Sequence, residues 1–365
     1  MRVMSQSPRV TTDAAGRGEA AAESVSVVMP VRNEELTLAE SVRSVLSQDY
    51  PGELEVVLAV GPSRDRTLEM ARWLAASDPR VTVVANPTGY IPSAVNAAIK
   101  VSRHSIVARV DGHALLPPGY LRTAVSELRQ TGADNVGGIM AAQGVTPFQQ
   151  AVAWAMTSSI GVGAAKFHTG GLPGPVDSVY LGVYRRAAIE RVGGYDETYQ
   201  RAEDWELNHR IRLAGGLIWF QPDLRVTYRP RASVRALAAQ YFHYGRWRRV
   251  VARQHAGTIN PRYLAPPVAV LLMLLGTLAG LAGLGGLASG AAGPWPAFAA
   301  CGLAIPLLYL AAVVGTAVCA GRRLRPRVAA RLPAALATMH LAWGLGFLTS
   351  PRRLMPGAAG RRGSP

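Results

Sequence analysis

The sequence predicts an α/β domain on a mostly parallel sheet, with helices on both faces, followed by a helical region of different character. Three observations carry that reading. From Val25 to about Ile211, short β-branched apolar runs alternate with stretches of helical period, the pattern of successive βαβ units. In the last third, long apolar stretches replace the alternation. Charge divides the chain near the same place: all 23 acidic residues lie at or before Asp223, and 18 arginines with no acid follow it.

Residues 1–23 are rich in Ala, Gly, Ser and Arg and hold no apolar core of seven or more residues. They read as a disordered tail rather than a cleaved signal peptide. The sheet domain is expected over residues 24–230. Its strands are expected at Val25–Val31, Glu55–Val60, Val81–Ala85 and Ile106–Val110, with helices around Glu35–Ser47, Thr67–Ala76 and Pro92–Val101. Residues 231–262 read as a basic juxtamembrane helix or neck. Within a membrane region over 263–350, the segments 264–288 and 297–320 contain no charge, and each exceeds the ~20 residues that cross a bilayer. A third apolar segment, 328–349, is interrupted by Arg331, Pro333 and His340, so it is expected either to span or to lie in the interface. A basic tail, 351–365, closes the chain.

Composition excludes several classes. With 49% hydrophobic and 17% charged residues, the chain is too apolar to remain disordered. Its two cysteines, Cys301 and Cys319, both sit in apolar runs, so neither a disulfide framework nor a cysteine zinc site is expected. The positive excess lies wholly after Asp223, +18 there against −2 before it, which leaves a nucleic-acid footprint on the sheet domain without support. The arginines instead form a collar suited to anionic lipid headgroups. Arg246, Arg248, Arg249 and Arg253 precede the first span, Arg322, Arg323, Arg325 and Arg327 follow the second, and the intervening loop is uncharged. The positive-inside rule then puts the sheet domain in the cytoplasm, on a multi-pass protein of the inner (plasma) membrane.

Polar residues gather where strands end, which is where α/β sheets bind ligands. The first strand runs into Pro30-Val31-Arg32-Asn33-Glu34, and the second into Gly61-Pro62-Ser63-Arg64-Asp65; helix capping explains Asn33, Glu34 and Asp65 equally well. The fourth strand delivers Asp111-Gly112-His113. A carboxylate and an imidazole two residues apart can reach one divalent cation, and an Asp-Gly turn with an incidental His is the plainer alternative. Glu203-Asp204-Trp205 opens a helix expected to bury Ile211 and Leu213. Paired acids at a helix start complement its dipole, but beside a tryptophan able to stack on a sugar one of them is a candidate general base. Arg246-Trp247 lies just before the first span, either to grip a phosphate or to anchor the interface.

In order, VSVVMPVRNEE, GPSRDRT, VDGH, YLGVYRR, GGYDE and AEDWELNHRI resemble a family 2 glycosyltransferase of the GT-A fold, close to the bacterial succinoglycan type, over about Val25 to Trp247. The resemblance implies a nucleotide-sugar site lined by Pro30, Asn33, Glu34 and Asp65, with Asp111 and Arg246 on the donor. It implies Mg²⁺ or Mn²⁺ held by Asp111 and His113, and Asp204 as catalytic base of an inverting single displacement. Glu203, Trp205 and Trp247 are expected on the acceptor side. Ala59-Val60 stand where family members often carry an acidic pair, which leaves the nucleotide base open among UDP, GDP and dTDP. His113 stands where a second Asp is more usual. Five residues, not two, separate Gln240 from Arg246, so the Gln-x-x-Arg-Trp element of related synthases is partial.

The expected function is a single sugar addition to a lipid-linked or polysaccharide acceptor at the membrane. Two rivals are a processive polysaccharide synthase, which needs more spans, including one before the sheet domain, and a non-enzymatic arginine-rich protein binding anionic lipid. The second leaves the ordered acidic motifs unexplained. The sequence leaves the sugar, the acceptor and the oligomeric state open.

Overall fold

The computed structural model describes residues 22–163 and 165–354; the expectations for residues 1–21 and 355–365 of the two tails lie outside them. Strands β1 (Val25–Val31), β2 (Leu54–Val60), β3 (Val81–Ala85) and β4 (Ile106–Arg109) run parallel, joined by helices α1 (Leu38–Leu46), α2 (Thr67–Ser77) and α3 (Ile91–Val101). The runs of β1, β2 and β4 are nearly continuous and buried because both faces are covered, while β3 lies at the sheet edge. Val25, Val27, Met29 and Val31 pack on α1 through Leu38, Val42 and Val45, while Val28 faces Val57, Ala94, Val95 and Ala98 on the other side.

After α4 (Tyr120–Thr131) and β5 (Asn135–Ala142) come three short helices, α5 (Pro147–Met156), α6 (Ser159–Val162) and α7 (Lys166–Thr169). The remaining elements are β6 (Gly174–Pro175), β7 (Tyr180–Arg185), α8 (Arg186–Arg191), α9 (Glu203–Leu213) and β8 (Ile218–Tyr228). The eight strands lie in the order β3-β2-β1-β4-β7-β5-β8-β6. β7 is antiparallel to β4 and β5, and β6 is antiparallel to β8, so the sheet is mixed though mostly parallel. On α9, Ile211 is buried as expected but Leu213 is 71% exposed; Leu207, one turn before Ile211, takes the inward place.

Helix α10 (Val234–Gln254) leads from the sheet to α11 (Pro261–Ala288), α12 (Trp295–Ala300), a 3₁₀ turn at Cys301–Leu303, α13 (Ala304–Gly321), α14 (Pro326–Ala329) and α15 (Leu332–Leu348). Among the described residues, Pro261–Ala288 and Trp295–Gly321 are the two helices long and apolar enough to cross a membrane, at 28 and 27 residues. Their large side chains, such as Leu272, Leu275, Leu278, Leu307 and Leu308, point outward as a lipid-facing surface would.

The third apolar segment behaves differently. α15 is 17 residues long, buries Leu332, Leu336, Met339 and Phe347, and packs among α5, α10, α11 and α13. Its crossing with α10 is close because glycines meet there: a Cβ on Gly245 would lie 2.0 Å from the Trp343 carbonyl, and one on Gly346 would lie 2.0 Å from that of Phe242.

Candidate active site

A cleft of about 2050 Å³ opens at the carboxyl ends of β1 and β4 and runs to the walls of α10, α11 and α15. At its sheet end lies Arg109, the last residue of β4 and only 5% exposed. Its Nη2 is 3.2 Å from Asp111 Oδ1 and 3.3 Å from Glu203 Oε1, and its Nη1 pairs with Asp204. Burial opposes the Arg109 charge, but Asp204, Asp111 and Glu203 outweigh it and raise its pKa well above the ordinary value. One guanidinium thus joins the loop after β4 to the start of α9.

The two acids on α9 differ. Glu203 is buried, and that burial pushes its pKa up to about 7 against the pull of Arg109. The Asp204 side chain is 29% exposed and accepts a hydrogen bond from the Tyr195 hydroxyl at 3.2 Å. The residue before them, Ala202, has φ +64°, a left-handed conformation that strains a residue with a Cβ and sets the direction in which α9 starts.

The loop after β1 forms the opposite wall. Asn33 also has a left-handed φ, +55°, and locks to the loop after β2: its backbone N–H donates to Ser63 Oγ at 3.1 Å, and its Oδ1 accepts from the Arg64 N–H at 2.8 Å. Glu34 accepts from the Thr37 hydroxyl at 2.7 Å, and its Oε1 lies 2.7 Å from His113 Nδ1. That hydrogen bond raises the His113 pKa against the effect of burial. Gly112 makes the approach possible, since a Cβ there would stand 3.2 Å from Glu34 Cγ.

Asp111 and His113 share one loop in the cleft. Among the described residues, however, no three His, Cys, Asp or Glu side chains are grouped to hold a metal ion. The local chemistry still suits one. Three carboxylates face a single guanidinium, an excess of negative charge open to a hard cation whose remaining oxygen ligands come from a substrate.

Pro30, Asn33, Glu34, Glu203, Asp204, Trp205 and Trp247 also line the cleft. Asp65 and Arg246 do not. Asp65 accepts from the Glu35 and Thr67 N–H groups, both at 3.2 Å, and from the Thr67 hydroxyl, which tightens the start of α2 and ties it to the β1 loop. The Arg246 guanidinium sits 4.6 Å over the Phe242 ring. Trp205 stacks on His209 with centroids 5.1 Å apart and carries Arg248 4.2 Å over its ring. Trp247 is buried against Tyr199.

The residue missed by sequence reasoning is Arg109. Its signal was present: an arginine ending the apolar run Ile106-Val107-Ala108 has to be buried, and a buried arginine needs carboxylates.

The mixed sheet with its acidic strand-end loop and long apolar helices is of the GT-A glycosyltransferase class. A mannosyltransferase, PcManGT from Pyrobaculum calidifontis in complex with GDP-Man and Mn²⁺, shares the fold with a TM-score of 0.52 at 21% identity, over 90% of this chain and 89% of that one. Residues 26–193 match the model of glycosyl transferase family 2. The chain is 32% identical over 323 residues to the succinoglycan biosynthesis protein ExoA of Rhizobium meliloti (strain 1021), covering 88% of this chain and 93% of that protein. Glycosyltransferase AglE of Haloferax volcanii is 34% identical over 116 residues, 31% of this chain and 38% of that protein. The chain belongs to glycosyltransferase family 2 and is a glycosyltransferase.

Proposed function

We propose that this enzyme moves one sugar from a nucleoside-diphosphate sugar to a hydroxyl of a lipid-linked glycan acceptor, with inversion, at the cytoplasmic face of the plasma membrane. The observation that carries the reading is the convergence of Asp111, Glu203 and Asp204 on Arg109, in a cleft continuous with the membrane-region helices. GDP-Man and Mn²⁺ bound to the fold neighbour support a nucleotide-sugar donor and a divalent cation, and kinship with a succinoglycan biosynthesis protein supports an exopolysaccharide-type acceptor.

Asp204 is the base. Of the two acids that open α9 it is the more exposed to the cleft, and Arg109 with the Tyr195 hydroxyl fixes its orientation, so it takes the proton of the attacking hydroxyl. Glu203, buried on the same guanidinium, helps hold Arg109 beside Asp204. Pro30, Asn33 and Glu34 form the nucleotide wall, and Trp205 and Trp247 stand toward the acceptor. Asp111 and His113 would hold Mg²⁺ or Mn²⁺, which when bound neutralises the departing diphosphate.

Asp204→Asn tests the reading. Transfer is expected to fall by at least about 100-fold, while calorimetry shows donor binding retained; near-normal turnover overturns the base. Products longer than one added sugar on a defined acceptor overturn single addition.

A further inference from the structure

At the membrane end of the cleft two arginines stand without a carboxylate. Arg248, on α10, is 7% exposed; Arg262 stands at the start of α11; both line the cleft. The Arg248 guanidinium lies between aromatic neighbours, 4.2 Å over Trp205 and 3.9 Å over Tyr263, and its Nη2 donates to the Thr258 carbonyl. Arg262 lies 4.7 Å over the Tyr263 ring, and its Nη2 bonds the Tyr263 hydroxyl at 2.6 Å. Neither forms an ion pair among the described residues, and the Nε of each is buried without a hydrogen-bond partner. By contrast, Arg109, Arg210 and Arg212 all meet acids.

A buried guanidinium with an unused donor and no carboxylate paired to it (Asp177, the nearby acid, pairs with Arg212) is poised for an anion from outside the chain. Aromatic rings engage the flat faces of the fork by cation–π contact and leave its edges for hydrogen bonds. The matching ligand is phosphate, whose oxygens an arginine fork meets two at a time. Beyond the pair, the cleft continues along Ala265, Pro266 and Ala269 of α11 and Met339 and Trp343 of α15, an apolar path toward the helices that carry the outward leucines.

We propose that Arg248 and Arg262 form a diphosphate site for the acceptor, holding the group that joins its sugar to its lipid. This rests on the lipid-linked acceptor proposed above. Trp205 adjoins Asp204 in sequence and touches Arg248, so the acceptor sugar lies between the base and the arginines, with its lipid along α11 and α15.

The test uses the full chain in detergent. Inorganic diphosphate is titrated calorimetrically in EDTA, which removes metal-dependent binding at the sheet end. The wild type is expected to bind; Arg248→Lys and the less buried Arg262→Gln are each expected to weaken binding by at least about tenfold. In Arg262→Gln, KM for a polyprenyl-diphosphate-linked sugar is expected to rise at least about tenfold, while KM for the donor and for an alkyl glycoside of the same sugar stays within about twofold. No diphosphate binding by the wild type, or equal binding by the variants, overturns the site. A rise in donor KM instead assigns the arginines to the donor diphosphate and overturns the acceptor assignment. A wild type that glycosylates alkyl glycosides but never lipid-diphosphate acceptors sinks the acceptor reading, and the titration then decides the diphosphate site by itself.

Discussion

The two ends of the cleft handle buried arginine in opposite ways. At the sheet end, Arg109 is surrounded by Asp111, Glu203 and Asp204; at the membrane end, Arg248 and Arg262 meet aromatic rings and carbonyl or hydroxyl oxygens but no acid. One end has negative charge to spare, the other positive. A buried charge left unbalanced by its own chain marks where a substrate or cation completes the balance. On that reading the sheet end takes a cation with the donor, and the membrane end takes an anion with the acceptor.

The comparison breaks most severely at Arg109. Arg109→Met leaves three acids around a vanished charge, and removing one partner of a buried ionic cluster costs about 3–5 kcal/mol. A large drop in melting temperature in detergent is expected, and an unchanged one removes the sheet-end cluster from the argument. Asp111→Asn is next. It should weaken Mn²⁺-dependent donor binding by about 100-fold while leaving metal-free diphosphate binding intact; equal loss of both means the two ends are not separate sites.

Gly346→Val acts on the scaffold between the ends. Its Cβ would stand 2.0 Å from the Phe242 carbonyl, forcing α10 and α15 apart at about 1–3 kcal/mol. Because Arg248 rides on α10, diphosphate binding is expected to suffer more than donor binding, and calorimetry of both checks the order. The smallest effect is expected at His168, whose pKa burial, with Arg262 nearby, lowers to about 4 from 6.5. Between those values the unfolded chain takes up a proton that the fold refuses, so the contribution is present above pH 6.5 and lost as pH falls toward 4. By pH 5.5 the loss is roughly 1 kcal/mol, so the melting temperature of the wild type should fall more over this range than that of His168→Phe. Parallel curves refute the assignment.

Much of the first half was legible. β1 and β3 begin and end where the apolar β-branched runs do: β1 is covered on both faces and has no polar side to blur its limits, and the edge strand β3 is bounded by Arg80 and Asn86. The later strands were harder. β5 carries Gly137-Gly138, where a Cβ on Gly138 would collide with Leu224, and β8 carries Pro222 in the bulged stretch that pairs with it. Both residues serve the bulge and weaken the strand signal. The third apolar segment matched the two long helices in hydrophobicity, and hydrophobicity does not distinguish burial in protein from burial in lipid.

The site shows the same division. The acidic motifs after β1 and β4 and the acids and tryptophan that open α9 entered the cleft, because a strand end in an α/β sheet points into it, whereas Asp65 after β2 turned to the start of α2. The arginines of α10 were not readable in that way. Arg246 and Arg248 are two residues apart, about 200° around a helix, so only one of them can face the cleft. Packing against α15, through the glycine crossing, chose Arg248.

By itself, then, the sequence determined the βαβ order, the acidic strand-end loops, the basic collar and two helices of membrane length, all properties of local period and composition. The tertiary structure alone decided that Arg109 gathers its neighbour Asp111 together with Glu203 and Asp204, more than ninety residues further along the chain, and that Arg248 and Arg262 form no ion pair among the described residues. Charge compensation depends on distance in space, and residues far apart in sequence become neighbours only when the sheet and helices have packed.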